Sequence, residues 1–292
     1  AMLASVCAPT YTAVLSAVPV SAASSKDTTN NTATTKDLAN ADIIDTSKTG
    51  SITVHKYDIT SAEAAVDYTE GQYKATGESD NRVENALADY AIQGVQFTYL
   101  RVGNIEQYSK TDGTGSNIKV VYEIPTALAQ ILKLNEADAT VMTGDGVSAP
   151  CTNAGVLHYT STQIEDALAA IIKADDVAAK NALESYLIDY KDQNKDSDDV
   201  QTADTGVIET DANGLATKSG LPLGLYLMVE TKVPEQVTST VNPWFISLPF
   251  TNTAADTNTN TDHAADGVAD SIGGEKWLYD FVSYPKNQTG NP

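Results

Sequence analysis

The run Trp277-Leu278-Tyr279-Asp280-Phe281-Val282-Ser283-Tyr284-Pro285-Lys286-Asn287 alternates as a strand does, and that alternation fixes which side chains meet. Neighbours on a strand point to opposite faces. Asn287 therefore shares a face with Phe281, Tyr279 and Trp277, the expected core side, while Lys286 looks toward solvent. One residue is placed for chemistry inside the fold, the other for chemistry with a partner. An ordinary edge strand with a solvated lysine would read the same way.

Short strands with turn signals recur elsewhere. Ser51-Ile52-Thr53-Val54-His55-Lys56-Tyr57 puts Ile52, Val54 and Lys56 on one face and Ser51, Thr53 and His55 on the other. Lys56 thus falls on the apolar face, where a lysine is costly unless paired, neutral or consumed in a bond. The alternative is a strand-end lysine that snorkels to water. Further strands are expected at Gly94–Val102, Leu221–Thr231 and Pro243–Phe250, with a hairpin turn at Asn213-Gly214. The framework is antiparallel β.

Between these strands the period changes. Leu128, Ile131 and Leu132 mark a short helix with Pro125 in its first turn. Thr162-Gln163-Ile164-Glu165 has the form of a capping box, followed by Ile164, Leu168, Ile171 and Ile172 on one helical face. Leu183, Tyr186, Leu187 and Tyr190 mark another helix. We expect a mostly helical insertion at about 105–205.

Residues 1–23 have the texture of the rear of a secretory signal peptide, uncharged through Val20 and with Val20-Ser21-Ala22 suited to cleavage. Cys7 would leave with it, so Cys151 would stand alone and no internal disulfide is expected. Residues 24–48 are polar without an apolar period and are expected to form a disordered leader. The net charge of −21, from 39 acidic and 18 basic residues, excludes nucleic acid as a natural partner. His55, His158 and His263 are far apart and show no zinc spacing. Asp256–Asp262 alternates oxygen-bearing side chains like a calcium loop. It has Thr261 where an EF-hand needs glycine and Gly267 where it needs glutamate, so no metal and no cofactor are expected.

The terminal run resembles the pilin motif of major (backbone) pilins in sortase-assembled pili of Gram-positive bacteria. Leu225-Tyr226-Leu227-Met228-Val229-Glu230-Thr231-Lys232-Val233-Pro234 resembles the E-box of pilin domains, with Glu230 in the glutamate position and Met228 where the pattern has leucine. By alternation Glu230 shares a face with Tyr226 and Met228 and is expected to be buried, where a carboxyl favours its protonated form. A strand-end glutamate paired with Lys232 or Lys56 is the plainer reading.

The resemblance implies a mainly β, immunoglobulin-like (Cna B-type) antiparallel sandwich with a helical insertion. It implies an autocatalytic intramolecular isopeptide between Lys56 and Asn287 promoted by Glu230, with Asn252 as the alternative acceptor. It implies a second, sortase-made isopeptide at Lys286 to the next subunit. The partners would be identical pilin subunits, a pilus-specific sortase, and tip and basal pilins. The chain would be a structural shaft subunit at the cell surface, not an enzyme, with residues 49–292 as an amino-terminal pilin domain. Further domains and the wall-sorting signal would lie downstream. A wall-anchored or pilus-tip adhesin is the alternative, and such a protein does not need an accepting Lys286.

Overall fold

The structure is a computed structural model and describes residues 44–69, 77–111, 116–140, 156–193, 204–235, 237, 240–250 and 277–287. The expected signal remnant at 1–23, Cys151, Asn252 and the calcium-like loop at 256–262 lie outside the described residues.

In chain order the elements are β1 (Gly50–His55), β2 (Tyr57–Asp58), α1 (Ile59–Ala64), α2 (Asn81–Leu87), β3 (Gln96–Gly103), β4 (Ile105–Thr111), β5 (Ser116–Pro125) and α3 (Thr126–Ile131). There follow β6 (Val156–Tyr159), α4 (Ser161–Lys173), α5 (Val177–Gln193), β7 (Thr205–Glu209), β8 (Leu215–Leu221), β9 (Gly224–Lys232), β10 (Trp244–Leu248), β11 (Asp280–Ser283) and β12 (Lys286–Asn287). The strands form four sheets, β11-β1-β8, β10-β9-β3-β7, β12-β2 and β4-β5-β6. The four-stranded sheet is antiparallel throughout, and β1 pairs antiparallel with β8 but parallel with β11.

Two of these sheets face each other across one core. Ile52 and Val54 from β1 and Ala216 and Leu221 from β8 pack with Phe97, Tyr99, Tyr226, Met228, Ile246 and Leu248 from the four-stranded sheet. The other face of that sheet is covered as well. Leu100, Val102, Leu225, Leu227 and Val229 pack with Leu128, Ile164, Leu168, Ile171, Leu183 and Leu187 of the helices. This is why β9 is apolar on both faces. Tyr226 and Met228 serve one core, Leu225, Leu227 and Val229 the other, and each fully buried side chain of this size contributes about 1.5–3 kcal/mol. A third, smaller cluster joins β2 to α1 and α2 through Tyr57, Ile59, Ala62, Val83 and Leu87.

The stretch at about 105–205, expected to be mostly helical, holds the α3, α4 and α5 helices and with them the three-stranded sheet β4-β5-β6. Other expectations need correcting. The turn at Asn213-Gly214 forms, yet β7 and β8 enter different sheets, so it is a crossing between layers and not a hairpin. Its geometry is set by Asp211, whose Oδ1 accepts from the Asn213 and Leu215 amides at 2.8 and 3.0 Å. The capping box lies two residues earlier than expected. Thr160 caps α4, and the Gln163 side chain returns the bond to the Thr160 amide at 2.9 Å. Strand β6 ends at Tyr159, so the first free Ser/Thr takes the cap. Pro125 stands at the cap of α3 and not inside its first turn.

The end of the leader expected to be disordered is docked. Ile44 is buried, the Asp45 amide donates to the Tyr279 hydroxyl at 2.7 Å, and Lys48 Nζ lies 4.7 Å from the Tyr279 ring centroid. A single apolar residue carries no period, which is why composition hid it.

Candidate functional site

Lys56 sits in the one-residue gap between β1 and β2, and its backbone is held from two sides. Its amide donates to the Gly214 carbonyl at 2.8 Å and its carbonyl accepts from the Ile92 amide at 3.0 Å. Gly214 has φ +72°, and a Cβ there would come within 2.4 Å of the Lys56 carbonyl oxygen, so the turn requires glycine twice over. Continuing the face of Ile52 and Val54, the lysine side chain enters the core between the sheets and is 0% exposed.

Glu230 reaches the same point from the opposite sheet. On β9 it lies opposite Phe97 of β3, and its side chain is also 0% exposed. Lys56 Nζ and Glu230 Oε2 are 2.7 Å apart. The ammonium also stands 5.8 Å from the centroid of the Phe97 ring, within cation–π reach. Glu230 Oε1 accepts from the Val241 amide at 3.1 Å, which holds the carboxyl in place. Burial pushes the Lys56 amine down to about 8, and Glu230 opposes that shift by charge and hydrogen bonding. Chemically this sets a buried amine, whose pKa burial lowers, directly against a carboxyl group. The plainer sequence reading, a glutamate paired with Lys56, describes the contact. The snorkelling alternative for Lys56 does not hold.

The terminal segment runs beside this pair. Ser51, Ile52, Thr53 and Val54 pair parallel with Asp280, Phe281, Val282 and Ser283. Beyond a break at Tyr284-Pro285, Tyr57 and Asp58 pair parallel with Lys286 and Asn287. The offset is the same in both ladders, since 280 − 51 and 286 − 57 both equal 229. Asn287 is therefore opposite Asp58, two positions past Lys56 along one continuous register. Strand β11 is half-buried along most of its length and lies at the sheet edge, with Phe281 packed against the central core.

Tyr284, just before Lys286, is fixed by a group that sequence reasoning missed. Its hydroxyl donates to Glu84 Oε1 at 2.6 Å and accepts from the Asp80 amide at 2.8 Å, and its ring stacks on His55 at 5.0 Å. His55 Nε2 is 3.3 Å from the same Glu84 oxygen. Burial holds the His55 ring below its ordinary pKa, and burial together with Glu84 pushes the Tyr284 hydroxyl up. Alternation made His55 a bystander. Tyr57 meets its Nδ1 at 3.2 Å, but Glu84 of α2 and Tyr284 of the terminal segment lie too far along the chain for any local signal.

Sequence reasoning also missed Glu106, Glu123 and His158, which the β4-β5-β6 sheet brings together. Reading the region as helical concealed the strands that align them.

Residues 153–263 match the model of the Gram-positive pilin subunit D1, N-terminal domain. Glu230 lies within the matched segment, and Lys56, Lys286 and Asn287 lie outside it. The fimbrial subunit type 2 of Actinomyces naeslundii is 36% identical over 80 residues, which is 27% of this chain and 12% of that protein. The full-length major pilin SpaD from Corynebacterium diphtheriae is 18% identical with a TM-score of 0.35, over 85% of this chain and 34% of that one. The chain thus spans well under half the length of either relative. The family match and the fimbrial relative together support a Gram-positive pilin.

Proposed function

We propose that this chain is a shaft subunit of a covalently polymerised pilus, carrying an internal Lys56–Asn287 isopeptide and accepting the next subunit at Lys286. The observation that carries it is the buried Lys56–Glu230 pair set beside a first strand and a last strand in parallel register. That adjacency also supports an immunoglobulin-like sandwich of Cna B type.

In this reading Glu230 takes a proton from Lys56, leaving a neutral amine. With an amine at about 8, roughly a tenth is neutral at pH 7 even before transfer. The amine attacks the side-chain carbonyl carbon of Asn287. The protonated Glu230 hydrogen-bonds the developing oxyanion and then relays its proton to the departing nitrogen. A C–N bond to Lys56 forms, the C–NH2 bond breaks, and one ammonia leaves. Fixed approach of the two groups supplies the effective concentration that an unactivated amide demands. The event occurs once per chain and is maturation, not turnover.

The intersubunit bond belongs to a sortase, whose acyl-enzyme thioester would be resolved by the Lys286 amine. The pilin family match and the fimbrial relative support a place in a cell-surface pilus. Among the described residues no helix is long and apolar enough to cross a membrane.

The internal reaction is read by intact mass. Purified protein should be lighter than its sequence by one ammonia, and digestion should release a peptide joining Lys56 to Asn287. Glu230→Ala should restore the full mass. A wild-type mass equal to that of the sequence rules the internal bond out.

A further inference from the structure

Among the described residues the buried ionisable side chains other than tyrosines are Lys56, Glu230, Glu106 and His158. The first two belong to the pair above. The other two lie some distance along the chain in the β4-β5-β6 sheet and have no part in it.

The sheet explains how they meet. Glu106 on β4 lies opposite Val121 on β5, and Glu123, two residues on, lies opposite His158 on β6. All three therefore stand on one face. The other face supplies Tyr122, Ile124 and Tyr159 to the helical core. The ionisable face is not the core face, yet Glu106 is 1% and His158 4% exposed.

Their separations are those of ligands. His158 Nε2 is 3.0 Å from Glu106 Oε2 and 3.9 Å from Glu123 Oε1. Glu106 Oε2 and His158 Nε2 meet each other at 3.0 Å, and among the described residues no other hydrogen-bond partner reaches either atom. One donor atom from each residue lies within 4.8 Å of the others. Three points no farther apart than that share a centre within about 2.8 Å of each, from which a small inward shift of the side chains reaches the 2.0–2.2 Å of zinc–nitrogen and zinc–oxygen bonds.

Charge argues the same way. Two carboxylates and an imidazolium leave a net charge of −1 in a site largely shut off from water, which is unfavourable. Two carboxylates, a neutral imidazole and a divalent cation sum to zero, the cation displacing the imidazole proton. The donor set, one nitrogen and two carboxylates, suits a first-row transition ion better than calcium or magnesium, which prefer oxygen alone. Outer contacts brace it. Glu123 Oε2 accepts from the Asn104 amide at 3.3 Å, and the Glu123 amide donates to the Asn104 carbonyl at 2.9 Å. Gly103 makes this approach possible, because a Cβ there would lie 1.8 Å from the Glu123 carbonyl oxygen. Glu123 also lines an open groove of about 190 Å³ with Gly103, Asn104 and Tyr186. The groove reaches Glu123 from outside, while Glu106 and His158 do not line it.

We propose that Glu106, Glu123 and His158 form a binding site for a divalent first-row transition cation of the zinc type, which ties the three strands of this sheet together.

The test uses the whole chain, stripped with a chelator and then given Zn²⁺. About one ion per chain should survive gel filtration, and the melting temperature should rise. Glu106→Gln and His158→Asn, checked for folding by circular dichroism, should retain no ion, while His55→Ala should retain it. Substituting Co²⁺ should give visible absorption bands that vanish in His158→Asn. If the variants fail to fold, the wild-type protein still decides. It has three histidines, and Zn²⁺ should shift the ring resonances of His158 and not those of His55. A wild-type chain that retains no zinc, zinc that persists in both variants, or unmoved His158 resonances would overturn the site.

Discussion

A lysine wholly enclosed beside one glutamate pays for its burial until it is either paired or consumed. Removing Glu230 from a chain that has not formed its bond leaves a buried charge without a partner, at a cost of about 3–5 kcal/mol. The titration of Lys56 gives a second reading of the same environment. In an unlinked Asn287→Ala chain, folded Lys56 releases its proton near pH 8 and the unfolded lysine near 10.5. Between those values the unfolded state binds more protons, so stability rises with pH. Below about pH 8 the full cost of burying the ammonium applies. Urea melts across pH 7–10 should show this rise, and Lys56→Met in the same background should remove it and be more stable at pH 7. A slope that survives Lys56→Met would place its cause elsewhere. At this scale the sequence was legible wherever a strand alternates. Ile52 and Val54 pointed Lys56 inward, and Tyr226 and Met228 pointed Glu230 to the same core. It was not legible for Glu106, Glu123 and His158, because their neighbourhood depends on the register of three strands and leaves no local pattern.

The strand that ends in Asn287 carries the choice of acceptor. It continues the β1–β11 register past Pro285, which puts Asn287 opposite Asp58, two positions beyond the Lys56 gap. The competing acceptor, Asn252, follows β10 in the opposite sheet. If Asn287 is the acceptor, the bond closes a loop of 287 − 56 = 231 residues. By the chain-entropy estimate used for disulfides, such a closure stabilises by about 5 kcal/mol. Asn287→Ala should restore the missing ammonia to the mass and lower the unfolding free energy by about that amount. Asn252→Ala should do neither, and the reverse pattern would move the bond to β10. Elements themselves were mostly foreseeable, since β1 alternates cleanly and β3, β9 and β10 are short apolar runs. The errors fell at junctions. A turn that changes sheets looks the same in sequence as one that closes a hairpin, and two overlapping Ser/Thr-x-x-Glu/Gln patterns compete for the cap of α4.

Across the whole molecule the first and last strands lie side by side and parallel, with helices covering the far face of the central sheet. In the proposed polymer, tension entering at Lys286 meets the strand that the internal bond anchors to β1. The Tyr284–Glu84–His55 contacts brace that strand from the side. In the proposed reading, what would make the chain a shaft subunit is the amine of Lys286, and one replacement isolates it. Arginine keeps the positive charge but cannot resolve a thioester as a primary amine does. In cells that supply the partner sortase, Lys286→Arg should give a folded, surface-exposed monomer with no high-mass ladder, while Lys232→Arg and Lys276→Arg polymerise as the wild type does. A ladder that persists in Lys286→Arg would contradict the account and favour an adhesin built on the same domain.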